Sequence, residues 1–121
     1  MARFLADQGL YDPVICHSHY ARARQSASIV RQQIGGDSGE YVELAPDRDP
    51  GQAVTVLQAN DAPLLLCVAH QPLVGAMVNY LVDGDAGWGR PFATGAIALL
   101  HCEFLGPAGA SLVWYREPDE R

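Results

Sequence analysis

The sequence contains no apolar run of membrane-spanning length; its longest, Pro63 to Ala69, is the size of a strand. No basic segment followed by an apolar stretch opens the chain, so no secretory leader is read and the expected compartment is the cytoplasm. Positive charge is scarce. Eight basic side chains face 14 acidic ones, a net charge of -6, which disfavours a broad grip on nucleic acid or on an anionic membrane while leaving room for a local basic pocket. Cysteine is sparse and odd in number: Cys16, Cys67 and Cys102 lack any Cys-x-x-Cys spacing. Free, buried thiols in a reducing compartment are the expectation, with zinc as the sharper alternative, and no metal or other cofactor is assigned. Neither Gly-x-Gly-x-x-Gly nor a P-loop occurs, and the glycine-rich stretch Gly84 to Gly89 fits neither, which weakens a nucleotide-binding reading. There is no internal repeat and no linker. A chain of 121 residues is long enough for one core and too short for two, so residues 1–121 are read as a single domain.

What is present alternates between strand and helix patterns. Met1 to Gln8 places Met1, Phe4 and Leu5 on one helical face and meets Gly9 as a stop, with no N-cap before it. Pro13 to His17 reads as a short buried strand. A helix from about Tyr20 to Ile34 follows, its inward stripe Ala23, Ala27, Val30 and Ile34, with Arg22, Arg24 and Arg31 off that stripe and Gly35-Gly36 at its end. A small strand is expected at Tyr41 to Leu44. Asp49 then caps a helix with Pro50 at its first position and Ala53, Val54 and Leu57 facing inward. The continuous apolar run Leu64 to Ala69 predicts the most buried strand, covered on both faces. Pro72 opens a further helix with Leu73, Val74, Met77, Val78 and Leu81 inward. Thr94 to Phe104 and Ser111 to Arg116 are strand-like and joined through Gly106-Pro107-Ala108-Gly109, and Pro118 to Arg121 forms a polar tail. The order predicts an α/β three-layer sandwich with a mainly parallel sheet and an antiparallel C-terminal edge.

In such sheets ligands gather where the carboxyl ends of strands meet helix N-termini. Two places qualify: His17-Ser18-His19 with Arg22, and His70-Gln71-Pro72. At the second, His70 is set either to hydrogen-bond a phosphoryl oxygen beside a helix start or merely to close a strand end. At the first, Arg22 lies in the first turn of its helix, where a guanidinium can hold a phosphate with two parallel hydrogen bonds, or stand solvated. Ser18 is placed as the N-cap. His17 and His19 alternate and share a face in extended backbone, a spacing open to a shared metal. His101 reads as a surface or packing histidine.

Ser18-His19-Tyr20-Ala21-Arg22-Ala23-Arg24-Gln25-Ser26 resembles the Ser-Pro-x-x-Arg-Ala-x-Gln-Thr segment of the histidine phosphatase superfamily, in its small phosphohistidine phosphatase branch typified by SixA. Glu43-Leu44-Ala45-Pro46 is similar to that branch's Glu-Leu-x-Pro turn. Val68-Ala69-His70-Gln71-Pro72-Leu73-Val74-Gly75 resembles its Val-x-His-x-Pro-x-Val/Leu motif, and Phe92-Ala93-Thr94-Gly95-Ala96-Ile97 its Phe-x-Thr-x-x-Ile strand. The four segments agree in order and spacing over nearly the whole chain. The resemblance implies a phosphoglycerate mutase-like fold and a metal-free phosphatase acting on phosphohistidine in a signalling protein, or on a small phosphomonoester. In that family a histidine in an Arg-His-Gly motif takes the phosphoryl group and water then releases it. Two arginines and a second histidine surround the phosphate; Arg22 matches the second arginine and His70 the second histidine, with Ser18 beside them as a phosphate-binding residue.

The departures are specific. No Arg-His-Gly occurs in the sequence, and His19 stands where the family has proline. The family's motif lies on a central strand preceding the first helix, so the chain is expected to be N-terminally truncated relative to the family, with Met1 an internal methionine or a fragment boundary. A sheet without that strand exposes two edges and much apolar surface, which predicts poor stability, rearrangement or self-association through the exposed edge. The 121 residues alone are expected to be inactive. A non-catalytic chain that binds phosphate or a phosphoprotein through Arg22 and His70 is the alternative, and His17 or His19 as a substitute nucleophile is a remoter one.

Overall fold

The computed structural model describes residues 2–87 and 89–118; Met1, Trp88 and residues 119–121, and with them the expected role of Met1 on the first helical face and the end of the polar tail, lie outside the described residues. The elements run α1 (Ala2–Asp7), β1 (Val14–His17), α2 (Ala21–Ile34), β2 (Asp37–Glu40), a 3-10 turn (Val42–Leu44), α3 (Pro50–Leu57), β3 (Leu65–Val68), α4 (Leu73–Asp83), β4 (Ile97–Cys102) and β5 (Ala110–Arg116).

β1 is the middle of a three-stranded parallel sheet in the order β2-β1-β3, while β4 and β5 form a separate antiparallel pair with an irregularity between Leu99 and Leu100. Alternation along β1 divides the interior. Ile15 joins Leu5, Ala27, Val30 and Ile34 under α1 and α2, whereas Cys16 joins Leu44, Val54, Leu73 and Met77 under α3 and α4. The predicted stripe of α2 is the one buried, Ala23, Ala27, Val30 and Ile34. Asp49 caps α3 as expected, its carboxylate accepting the Gln52 N–H at 3.0 Å with Pro50 in the first turn. The helices therefore take the two outer layers of an α/β sandwich and the strands the middle one.

Several boundaries differ from the sequence expectation. The second strand is Asp37–Glu40 and not Tyr41 to Leu44. Asp-Ser-Gly-Glu has no β-branched or apolar residue, but it forms an outer strand because β1 offers it a ladder, Val14 to His17 opposite Asp37 to Glu40. The Tyr-Val-Glu-Leu alternation instead winds into a 3-10 turn that buries Leu44 and leaves Val42 exposed. β3 is not the most buried strand: each of its four residues is half-buried, because the parallel sheet ends at it. On α4, Gly75 is buried and Val74 only half-buried, and Pro72 sits at the N-cap position, one residue before the first helical one.

Gly75 is required by a close approach. A side chain there would run into the Arg90 carbonyl oxygen, and the Gly75 carbonyl accepts the Arg90 N–H at 3.3 Å. Gln71 completes the seam, accepting the Gly75 N–H at 2.7 Å and donating to the Arg90 carbonyl at 3.0 Å. Gly84, with φ of 87°, ends α4 in the left-handed region. Phe92 to Ala96 precede the strand, so of the Phe-x-Thr-x-x-Ile segment only Ile97 lies in β4; Phe92 packs edge-on against Tyr115 at 5.2 Å. Among the described residues no helix is long and apolar enough to cross a membrane.

Candidate phosphate site

The parallel register sets His17, the last residue of β1, opposite Val68, the last of β3. The loops that follow therefore run side by side, and the Ser18 N–H donates to the Val68 carbonyl at 3.3 Å. Each loop leads directly into a helix, α2 at Ala21 and α4 at Leu73. Two helix N-termini, with free N–H groups and aligned peptide dipoles, thus open toward one place at the end of the sheet.

Ser18 and His70, 52 positions apart in sequence, meet there. The Ser18 hydroxyl and His70 Nε2 are 2.7 Å apart, and the hydroxyl also accepts the Tyr20 N–H at 3.3 Å. Ser18 is not the N-cap of α2, as the sequence suggested. The cap position is Tyr20, which makes no side-chain cap bond, and Ser18, two residues earlier, spends its hydroxyl on the loop and on His70. Because Ser18 is fully buried, it acts as a fixed post for the imidazole and offers no accessible nucleophile.

The Tyr20 ring lies against His70 at 5.0 Å between centroids, and the His19 ring meets Tyr20 edge-on at 4.9 Å. His70 is consequently held from two sides, by a hydroxyl at Nε2 and by the tilted Tyr20 ring. The sequence reading missed Tyr20, and the only available signal was an aromatic residue immediately before the helix. Partial burial, the nearby Arg22 guanidinium and His19 all lower the His70 pKa from its ordinary value. Its resting form at neutral pH is the neutral imidazole. Arg22 is exposed in the first turn of α2, and among the described residues its side chain enters no ion pair or hydrogen bond. Arg24, by contrast, pairs with Glu40 at 3.5 Å on the surface. Arg22 is thus a cation close enough to His70 to perturb it and free to meet an anion at the two helix starts.

His17 and His19 do not present a common face. His17 is buried, its Nδ1–H donating to the Ser18 carbonyl at 2.8 Å, while His19 is exposed. His101 is exposed on β4, away from these residues in the chain. Among the described residues no group of three histidine, cysteine or acidic side chains is placed to hold a metal ion. The expectation of buried cysteines holds for Cys16 and fails for Cys102, which is exposed at the end of β4. Burial, with Cys16 alongside, pushes the Cys67 thiol up to about 12, and burial also raises Cys16 and Cys102, so none is a thiolate at neutral pH.

No family profile matches the chain, and no curated protein sequence does either. Its fold is nevertheless found in solved structures. A proposed phosphohistidine phosphatase, SixA, from Agrobacterium tumefaciens superposes with a TM-score of 0.77 over 97% of this chain and 75% of its own, at 20% identity. A proposed phosphohistidine phosphatase SixA from Nakamurella multipartitia gives a TM-score of 0.77 over 97% of this chain and 77% of its own, at 26% identity. The chain therefore has a SixA-like histidine phosphatase fold, the phosphoglycerate mutase-like architecture that the four motif segments implied.

Proposed function

We propose that these residues form the phosphate-binding part of a histidine phosphatase site, with phosphohistidine on a signalling protein, or a small phosphomonoester, as the substrate class. The observation that carries the reading is the convergence of His70, fixed by Ser18 at 2.7 Å, and Arg22 at two adjoining helix starts. Arg22 supplies a lasting positive charge and a planar pair of donors for two phosphoryl oxygens. His70 rests neutral and gains basicity once a dianion sits beside it, so it can take up a proton and add a second charge as the phosphoryl group transfers. Helix N–H groups donate to the remaining oxygens. This is electrostatic work, the kind phosphoryl transfer chiefly demands, and a departing imidazole needs little proton assistance.

The transfer itself needs a nucleophile. Arg-His-Gly does not occur in the sequence, and His17 is buried with its Nδ1–H donating to the Ser18 carbonyl. That favours the second reading for the 121 residues by themselves, binding of phosphate or a phosphoprotein without turnover. Calorimetric titration with inorganic phosphate should show saturable binding that Arg22→Ala weakens by about 10-fold to 100-fold, the worth of charge-assisted hydrogen bonds. The same protein should leave a chromogenic phosphate ester intact. Joining a strand that ends in Arg-His-Gly ahead of Met1 should confer hydrolysis of phosphohistidine, and His70→Ala should abolish it. Unchanged phosphate binding in both Arg22→Ala and His70→Ala would remove the site.

A further inference from the structure

Tyr20 occupies the N-cap position of α2 without capping it, since its side chain makes no bond to the helix start. That position ordinarily falls to a short polar residue that can accept a helix N–H. The Tyr20 ring is turned instead to His70, 5.0 Å between centroids with the planes tilted by 47°, and to His19, 4.9 Å away at 65°. Three rings from two loops are therefore in contact, in the order His19, Tyr20, His70.

Burial falls along that row. His70 is half-buried and tied at Nε2 to the fully buried Ser18 hydroxyl, whereas Tyr20 is 43% exposed and His19 is exposed. The row climbs from the end of the sheet to solvent, so Tyr20 and His19 wall the outer side of the place where Arg22 and His70 meet. The part of the Tyr20 ring that touches neither histidine is a flat apolar surface left open to water beside two helix starts.

A phosphate ester held there presents its non-bridging oxygens to Arg22, His70 and the helix N–H groups. Its remaining atom, the bridging oxygen or nitrogen, carries the rest of the molecule. The start of α2, the start of α4 and buried Ser18 close the inner side, so the carrier leaves toward solvent, past Tyr20 and His19.

We propose that Tyr20, with His19 beside it, is the specificity-determining wall of this site and selects phosphate carried on a flat aromatic ring over phosphate carried on a saturated group of equal size. The selection rests on the phosphate site proposed above and narrows its substrate class. A flat carrier can lie against the tyrosine or meet it edge-on, as the two histidines already do, while a saturated one gains only the area it buries. Arg22 cannot make this distinction, because the oxygens it would hold are common to every ester. Specificity is a difference of affinities, and here only the rings supply one.

Calorimetric titration of the 121-residue protein with phenyl phosphate, cyclohexyl phosphate and inorganic phosphate, at about pH 8 where each is a dianion, tests this. Phenyl phosphate should bind about 3-fold to 10-fold more tightly than cyclohexyl phosphate, the worth of one stacked aromatic pair, although cyclohexyl is the more apolar group. The proton resonances of the bound phenyl ring should move upfield under the tyrosine ring current. Tyr20→Leu should bring the two esters to equal affinity, Tyr20→Phe should keep them apart, and His19→Pro should narrow the difference. The ratio is decisive, because a ring that merely braced His70 would on removal weaken both esters alike and leave their ratio unchanged. If Tyr20→Leu does not fold, the ratio and the ring shifts in the parent protein still decide. Equal affinity for the two esters in the parent would overturn the inference and leave the phosphate site standing, as would a ratio that survives Tyr20→Leu. If neither the esters nor inorganic phosphate bind, the phosphate site itself fails and the selection fails with it.

Discussion

Replacing Ser18 by alanine should destabilise the protein far more than the loss of one small polar side chain suggests, and the loss should be shared with His70. Ser18 is fully buried, its hydroxyl lies 2.7 Å from His70 Nε2, and it accepts the Tyr20 N–H at 3.3 Å. The short bond contributes about 1–1.5 kcal/mol net, and leaving the Tyr20 N–H without its acceptor costs several tenths more, for a total of about 1.5–2.5 kcal/mol. For a domain of this size that lowers the melting temperature by roughly 5–10 °C. His70→Ala removes the same short bond from the other side and also the ring that packs on Tyr20. The double variant should therefore lose less than the two single losses combined, with a coupling of about 1 kcal/mol. Urea unfolding of the four proteins, followed by circular dichroism, measures this cycle. Losses that add to within ~0.3 kcal/mol would show that the contact carries no energy and that Ser18 does not position the imidazole.

The pH dependence of stability should also involve His70. Its folded pKa lies below the ordinary histidine value, so folding favours the neutral ring; the stability this provides is present above pH ~6.5 and is lost as pH falls toward the folded pKa. Urea midpoints should accordingly fall more between pH 7.5 and pH 5 in the parent than in His70→Gln, and identical profiles would contradict the assignment. Asp49→Ala should cost about 1 kcal/mol by leaving the Gln52 N–H at the start of α3 uncapped, and Asp49→Ser should restore most of it in the same assay. Gly75→Ala should cost about 1–3 kcal/mol, because its methyl group collides with the Arg90 carbonyl and pushes Arg90 off α4. Faster amide exchange at Arg90 would report that detachment, and an unchanged exchange rate would refute it.

The sequence by itself determined the pieces whose cause is local. The four-three-four spacing of Ala23, Ala27, Val30 and Ile34 sets which side of α2 is buried. Asp49 and Pro50 fix where α3 begins, and Gly84 fixes where α4 ends. Each depends on contacts within a few residues or on a stripe that any apolar partner would cover. The placement of Arg22 in the first turn of α2 and of His70 in the turn between β3 and α4 was also legible, because strand and helix patterns bracket both positions.

Only the tertiary structure decided the rest. A polar tetrapeptide, Asp37–Glu40, becomes a strand because β1 supplies its ladder, while the more strand-like Tyr41 to Leu44 turns to bury Leu44. Ser18 reaches His70 because the β1–β3 register aligns two strand ends from distant parts of the chain, and that register is a pairing of backbones with no signature in either segment alone. The same is true of the outer edge of β3. The apolar run through Leu64 to Ala69 shows how much apolar surface β3 carries, but not that one of its edges pairs with no described strand. Local preference and hydrophobic period set what each segment can bury; hydrogen-bond partnership between remote segments is settled only when the layers assemble.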